Sequence, residues 1–309
     1  MHLPPFLFQL NSLAISMRHL SLIVAITIGF AFSANTSAQS TTSDRPFDLT
    51  FGKAFWGAML PEYTIGEDAD GGSAYRDDGD TLGALWELKA VRRFLWTRTS
   101  VETKAFYGLA RANSNKGPTD LDVPNPITGA SSALTSGRSH LDADVDHYGF
   151  DFALRDTWQT RVGGLSAGCG FSYMAFDQDF KLEYSGDRLF KESLDSDFVG
   201  GKAFVGWEGY VLDRASNLDL TFGFYDMDAD YTFTGGSIAG SRFDEISRTS
   251  GTADISFTTR GMINGRVVGF TTGAMYISRI AAIERNAAGV AVLGTDDAVT
   301  IRAMFEILL

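Results

Sequence analysis

The chain is 309 residues long with a formal net charge of -12 at pH 7, and that acidic balance excludes nucleic acid as a partner, because phosphate neutralisation needs a surplus of Lys and Arg. Its hydrophobic content of 44% is ordinary for a folded protein, and the length admits one sizeable core or two modest domains. The departure lies elsewhere: 33 Gly and 24 Phe stand against 7 Pro, and Gly and aromatic residues run through the periodic segments instead of gathering in turns.

At the N-terminus Met17, Arg18 and His19 precede the apolar run "LSLIVAITIGFAF", and Thr36 and Ala38 supply small residues for cleavage after Ala38. Residues 1–38 therefore read as a signal peptide, with Met17 as the expected start, and 39–46 as a short N-terminal segment. The apolar run is shorter than the roughly 20 residues of a membrane-spanning helix. No later segment reaches that length, so a place in a membrane requires a barrel. The single cysteine, Cys169, has no intramolecular disulfide partner and is not placed as a lipoprotein cysteine would be.

Ten segments then alternate with period two, over 47–61, 80–94, 98–112, 143–159, 164–181, 197–211, 217–231, 252–263, 266–280 and 297–309. Each has the length of a tilted membrane strand. Tight connections such as "RVGG" and "NG" are hairpin signals, and they alternate with long stretches rich in Gly, Asp, Ser and Asn. That sorting puts short turns on one rim and long loops, including 113–142 and 232–251, on the other. The faces sort too. Leu82, Ala84, Trp86 and Leu88 oppose Thr81, Gly83, Glu87 and Lys89; Tyr148, Phe150, Phe152 and Leu154 oppose His147, Asp151 and Arg155. Val199, Ala203, Val205 and Trp207 oppose Lys202 and Glu208, and in the last strand Val299, Ile301, Ala303, Phe305, Ile307 and Leu309 oppose Thr300, Arg302 and Glu306. The fold class expected is all-β: an antiparallel up-and-down transmembrane β-barrel over 47–309, of about ten strands with eight or twelve as alternatives, after a cleaved signal peptide.

On these features the sequence resembles the bacterial outer-membrane β-barrels, and the apolar final strand is like the segment through which the barrel-assembly machinery recognises them. The stretches "LDADVDHYGFDFALRD", "GGLSAGCGFSYMAFDQDFKLEYSG" and "DSDFVGGKAFVGWEGYVL" are also similar to the Legionella-type pore-forming major outer membrane proteins. The Gly-x-Arg-Tyr motif of that family is replaced here by "GCGFSYM", with Phe171 and Ser172 where the Arg would fall. The resemblance implies an outer-membrane location, contact with outer-membrane lipid, and a pore for small ions or solutes.

Alternation directs one face inward, so the residues expected to line the lumen are Glu87, Lys89, Glu102, Lys104, Asp151, Arg155, Lys202, Glu208, Asp219, Arg260, Arg302 and Glu306. Mixed signs suit mutual pairing, whereas an ion-selective pore favours rings of one sign, and ten strands lie near the filled end of the size range. Inward glycines such as Gly168 and Gly170 thin the wall and would favour a small passage. A largely plugged barrel and a narrow, porin-like pore are the two readings.

In "LDLTFGFYDMDADYTF" the parity of Leu218, Leu220, Phe222 and Phe224 continues as Asp226, Asp228 and Asp230, and Asp142, Asp144 and Asp146 precede Tyr148, Phe150 and Phe152 in the same way. Both series place carboxylates at the long-loop rim above a lipid-facing stripe, since burying them deeper is costly. An acidic rim keeps loops solvated. These six aspartates, helped by Asp68, Asp70, Asp77 and Asp78, are also the candidate ligands for Ca²⁺ or Mg²⁺, though no EF-hand spacing is present; no other cofactor is expected. The alternative is a bulge near Tyr225 that turns the aspartates inward. His140 and His147 lie close to Asp142, Asp144 and Asp146, but no G-x-S-x-G or H-E-x-x-H motif accompanies them. The chain is accordingly expected to be non-enzymatic. Surface adhesion or envelope architecture through the long loops rivals the pore, and a rim-sited protease is the lesser alternative.

Overall fold

The computed structural model describes residues 47–68, 74–77, 79–94 and 97–309. The expected signal peptide and the segment to residue 46 lie outside the described residues, as do Asp70 and Asp78, and of Asp68 and Asp77 only the backbone is described. The strands are β1 (Phe47–Met59), β2 (Tyr63–Asp68), β3 (Ala74–Asp77), β4 (Asp80–Arg93), β5 (Thr99–Pro124), β6 (Ser131–Thr160), β7 (Gly163–Tyr184), β8 (Asp187–Val211), β9 (Arg214–Gly235), β10 (Ser241–Ile263), β11 (Arg266–Arg285) and β12 (Ala291–Leu308). β1 and β4 to β12 pair antiparallel in order, and β1 pairs with β12 to close a ring of ten strands. β2 and β3 form an extra hairpin inside the β1–β4 connection, attached to β5 through Glu67 and Asp68 opposite Asp122 and Leu121.

Directly paired residues followed once round the ring run from Ser247 of β10 through Asp228, Asp197, Ala175, Tyr148, Tyr107, Trp86, Lys53, Phe305 and Phe270 to Thr259. The path returns to β10 twelve residues nearer the short-turn end, a stagger that goes with strands tilted by roughly 35–45°. The turns at that end are tight. Leu212 and Asp213 (φ 50° and 59°), like Asn264 and Gly265 (51° and 77°), hold both central positions in the left-handed region, which matches the right-handed twist of the flanking strands.

The long-loop rim departs from the sequence reading. Four of its five expected loops, among them 113–142 and 232–251, are strand for most of their length: β5 and β6 meet across 125–130, β7 and β8 across 185–186, β9 and β10 across 236–240, and β11 and β12 across 286–290. Only the β1–β4 connection is long. Small polar residues here face water from an extended strand, and their composition resembles that of a loop.

The outer band of Phe51, Phe55, Leu82, Phe152, Leu154, Val205, Phe222, Ile255 and Phe305 is exposed, as a lipid-facing surface must be. Above it, toward the long-loop rim, the pattern reverses. On β9, Tyr225, Met227, Ala229, Tyr231 and Phe233 are buried inside while Asp226, Asp228 and Asp230 are exposed. The register through Tyr225 is continuous on both sides, so the bulge considered from sequence is not formed and the aspartates stay on the outward parity of Phe222 and Phe224. The hydrophobic core, with Phe176, Phe190, Phe198, Tyr231 and Phe233, thus lies inside the barrel's outer extension.

Phe222→Arg, at an exposed mid-band position, is expected to reduce unfolding stability in lipid vesicles by about 2–4 kcal/mol. Asp228→Arg, six residues along the same face, should change it by less than about 1 kcal/mol. Equal losses from denaturant unfolding would mean that the two positions share one medium.

Candidate functional site

Within the lipid-facing band the lumen is occupied by matched charges. Asp151 of β6 accepts Lys104 of β5 at 3.0 Å, Lys202 of β8 at 2.6 Å and the Ser172 hydroxyl at 2.6 Å. Arg155 reaches Glu102 at 2.8 Å, Asp219 at 3.0 Å and Ser166 at 2.9 Å, and lies over the Phe204 ring. Lys89 pairs with Glu102 at 3.2 Å, and Lys104 with Glu87 at 3.9 Å. Arg302 donates to Asp254 at 2.9 Å, and Glu306 accepts from Thr271, itself 2.7 Å from Thr258. Alternation supplies these charges from β4, β5, β6, β8, β9, β10 and β12, so each of them except Glu306 finds a counter-charge across the interior. Glu208 and Arg260 share the inward parity nearer the short-turn rim, where Arg260 is exposed.

The space beside the inward glycines Gly168 and Gly170 is already taken. A side chain at Gly168 would collide with the Leu154 carbonyl and the Phe204 ring, and one at Gly170 with the backbone of Phe152 and Ala153. These positions lack side chains because neighbouring groups already occupy the space.

Above the charges an aromatic collar crosses the interior. His147 stacks on Phe176 at 4.0 Å and on Trp56 at 5.5 Å, with Phe106 at 4.8 Å, and its Nδ1 donates to the Ala175 carbonyl at 3.0 Å. β2, in the β1–β4 connection, plugs the mouth above this collar. Tyr63 of β2 stacks on Phe180 of β7 with ring centroids 4.1 Å apart, and Ile65 is fully buried. Glu192 of β8, 0% exposed, accepts from Tyr63, from Tyr231 at 2.5 Å and from Arg285 at 2.5 Å. Arg285 also donates to the Thr64 carbonyl at 3.4 Å. Burial, reinforced by the Glu192 carboxylate, pushes the Tyr63 and Tyr231 phenols up from their ordinary value; burial works against the Arg285 charge, and the Glu192 carboxylate outweighs it and keeps the guanidinium protonated.

On the outer face the acidic residues form rows. Asp146, Asp177, Asp195, Asp230 and Glu245 stand directly opposite one another across β6 to β10, and Asp197 opposes Asp228. Partial burial, followed by the facing carboxylates, lifts Asp177 and Asp195 above the usual carboxylate range. Asp144 is paired with Arg111 at 2.9 Å, and Asp142 with His140 at 3.0 Å. Asp226 lies beside Val199 and Thr249. The two aspartate triads are thus separated by β7 and β8. Among the described residues no three His, Cys, Asp or Glu side chains form a group that could hold a metal ion.

Sequence reasoning missed Glu192, Tyr63, Tyr231 and Arg285, the anchor of the plug, and Asp254, the partner of Arg302. A signal was present: Phe190, Glu192, Leu194, Ser196 and Phe198 share one parity. It was hidden because the apolar face there points inward, opposite to the phase of the lipid-facing band.

Glu192→Gln leaves the buried Arg285 without its counter-ion and should cost about 3–5 kcal/mol in unfolding stability. The raised phenols contribute stability that is fully present below the ordinary tyrosine range near pH 10 and lost as pH rises through their folded values. Alkaline absorbance titration should therefore show Tyr63 and Tyr231 ionising late, and earlier in Glu192→Gln. For the raised carboxylates the stabilising protonation is present at acid pH and lost as pH rises. Asp195→Asn should accordingly add roughly 0.2–1 kcal/mol at pH 7 and little at pH 3.

No family model matches the chain, that of the Legionella-type proteins included, and no curated protein sequence matches it. Solved structures similar to it include the translocator domain of the autotransporter NalP from Neisseria meningitidis, at 9% identity, covering 96% of this chain and 97% of that one, with a TM-score of 0.44. The outer-membrane protease OmpT from Escherichia coli is 9% identical over 88% of this chain and 100% of its own, with a TM-score of 0.46. Ail, the attachment invasion locus protein of Yersinia pestis, is 9% identical over 85% and 97%, with a TM-score of 0.29. Identities and scores this low say nothing of what the present barrel does. Its own closed ring of ten strands, lipid-facing outer band and polar interior make this chain an integral outer-membrane β-barrel.

Proposed function

We propose that the protein is an exported, non-enzymatic outer-membrane barrel, closed to steady flow, that acts in envelope architecture or adhesion through its acidic outer extension. The observation that carries this reading is the plug: Tyr63 and Ile65 are buried inside the barrel mouth and anchored on Glu192 and Arg285. Ion pairs beneath it fill the bilayer-level lumen with matched charge, an arrangement that favours closure over conduction. The outer wall is built of long paired strands rather than loops, which gives a fixed surface suited to presenting a binding face. The enclosure of the His147 ring by three aromatic side chains favours a packing role over a catalytic one. His140 and Asp142 face outward with Asn115 as a third partner, a polar cluster in keeping with a hydrated wall.

A narrow pore is the second reading, favoured by the polar side chains that continue through the band beneath the plug. It requires β2, with Tyr63 and Ile65, to withdraw. Planar-bilayer recording of refolded protein, with insertion verified independently, distinguishes the two. The unaltered barrel is expected to show no steady current, and Tyr63→Ala combined with Glu192→Ala to show intermittent steps. Steady conductance of the unaltered protein would overturn the closed-barrel reading.

A further inference from the structure

Lys53 breaks the sorting of the outer wall. It lies on the outward parity of β1 between Phe51 and Phe55, six residues from either end of a strand that spans 47–59, and is exposed. Its directly paired neighbours are Trp86 of β4 and Phe305 of β12, and Ala84, Leu88, Ala303 and Ile307 flank these. No carboxylate stands on this patch. Its ammonium is placed over the Trp86 ring, 5.8 Å from the centroid. A ring face returns less than an ammonium loses on entering hydrocarbon at mid-band depth, so a charged Lys53 calls for a further anionic partner.

The tilt of the barrel gives the direction in which that partner lies. The row of paired residues through Phe305, Lys53, Trp86, Tyr107 and Tyr148 climbs toward the long-loop rim, gaining twelve residues in one circuit. A lysine leaning from β1 over Trp86 therefore leans toward the outer leaflet. Trp86 in turn stacks with Tyr107 at 6.3 Å, whose hydroxyl donates to Asp146 at 3.2 Å where the acidic surface begins. Headgroups lie in that direction, and a flexible four-carbon stem can meet one that is drawn downward.

We propose that Lys53, on the platform of Trp86, binds the phosphate of an outer-leaflet lipid and draws it down the β1–β4 face, with the acyl chains on Phe51 and Phe305. A second copy of the chain fits less well. A twofold contact on this face brings one Lys53 toward another, and the outward carboxylate within the band, Asp156, lies at the short-turn end opposite Thr99. The phosphate could come from a glycerophospholipid or from a phosphorylated glycolipid.

Native mass spectrometry of the refolded full-length barrel tests this with phosphatidylglycerol, monophosphoryl lipid A and a phosphate-free galactolipid as separate probes. The expected result is retention of one or both phosphorylated lipids by the unaltered protein, at least about fivefold less by Lys53→Met, and recovery by Lys53→Arg. Retention of phosphatidylglycerol alone, or of lipid A alone, identifies the source. Thermal melts in vesicles give a second readout: Lys53→Met should melt higher than the unaltered barrel in galactolipid and lose that advantage when the phosphorylated lipid is present. Equal retention of phosphorylated lipid by both proteins overturns the proposal, as does equal loss of the galactolipid. A dimer that Lys53→Met dissociates also overturns it, in favour of a second copy.

Discussion

The wall of this barrel passes from lipid into water without a break in its strands, and most of the structure follows from that change of medium. A strand shows its two faces by strict alternation, so when the outside turns from hydrocarbon to water the apolar parity has to move from the outer face to the inner one. β9 makes the exchange at Phe224 and Tyr225: Leu220, Phe222 and Phe224 face lipid, Tyr225, Met227 and Tyr231 face the interior, and the register does not shift. β6, β7 and β8 do the same near Tyr148, Tyr173 and Val199. The barrel therefore has an apolar exterior around a polar lumen at bilayer depth, and an acidic exterior around an apolar core above it.

Each half then solves a different problem in its interior. At bilayer depth, alternation forces polar groups inward, and the mixed signs of Lys104, Asp151, Lys202, Arg155 and Glu102 let them neutralise one another across strands. Buried ion pairs of this kind add little net stability but are costly to break one partner at a time. Above the bilayer, Tyr63 and Ile65 of β2 pack among the inward side chains of the ten strands and complete the core. The plug needs Glu192 because a hairpin with two short strands has too few contacts to hold itself in place.

The outer surface is under electrostatic tension. Directly opposed carboxylates across β6 to β10 repel one another, and after partial burial the neighbouring carboxylates hold Asp177 and Asp195 above the usual carboxylate range. Backbone pairing along strands of 22 to 30 residues and the apolar core behind them hold these groups in register. That rigidity distinguishes a surface built of strands from one built of loops, and it underlies the proposed role of the extension.

Sequence alone determined the antiparallel up-and-down barrel and its short-turn rim, because these depend on period-two patterning and turn chemistry, which are local; it favoured ten strands and an outward Asp142 to Asp146 and Asp226 to Asp230, and the closed ring and the unbroken register of β9 decided both. It also placed Glu87, Lys104, Asp151, Arg155, Lys202 and Arg302 on the inward parity. Which charges pair could not be read there, since Arg155 meets Glu102 through the register of β5 on β6 and Asp219 of β9 only across the curved interior. The outer strands were misjudged as loops because Asp, Ser and Gly beside inward-facing apolar residues invert the expected phase. The plug was decided by tertiary structure alone: Tyr63, Glu192, Tyr231 and Arg285 are distant in sequence, and closing the barrel is what brings them to one buried point.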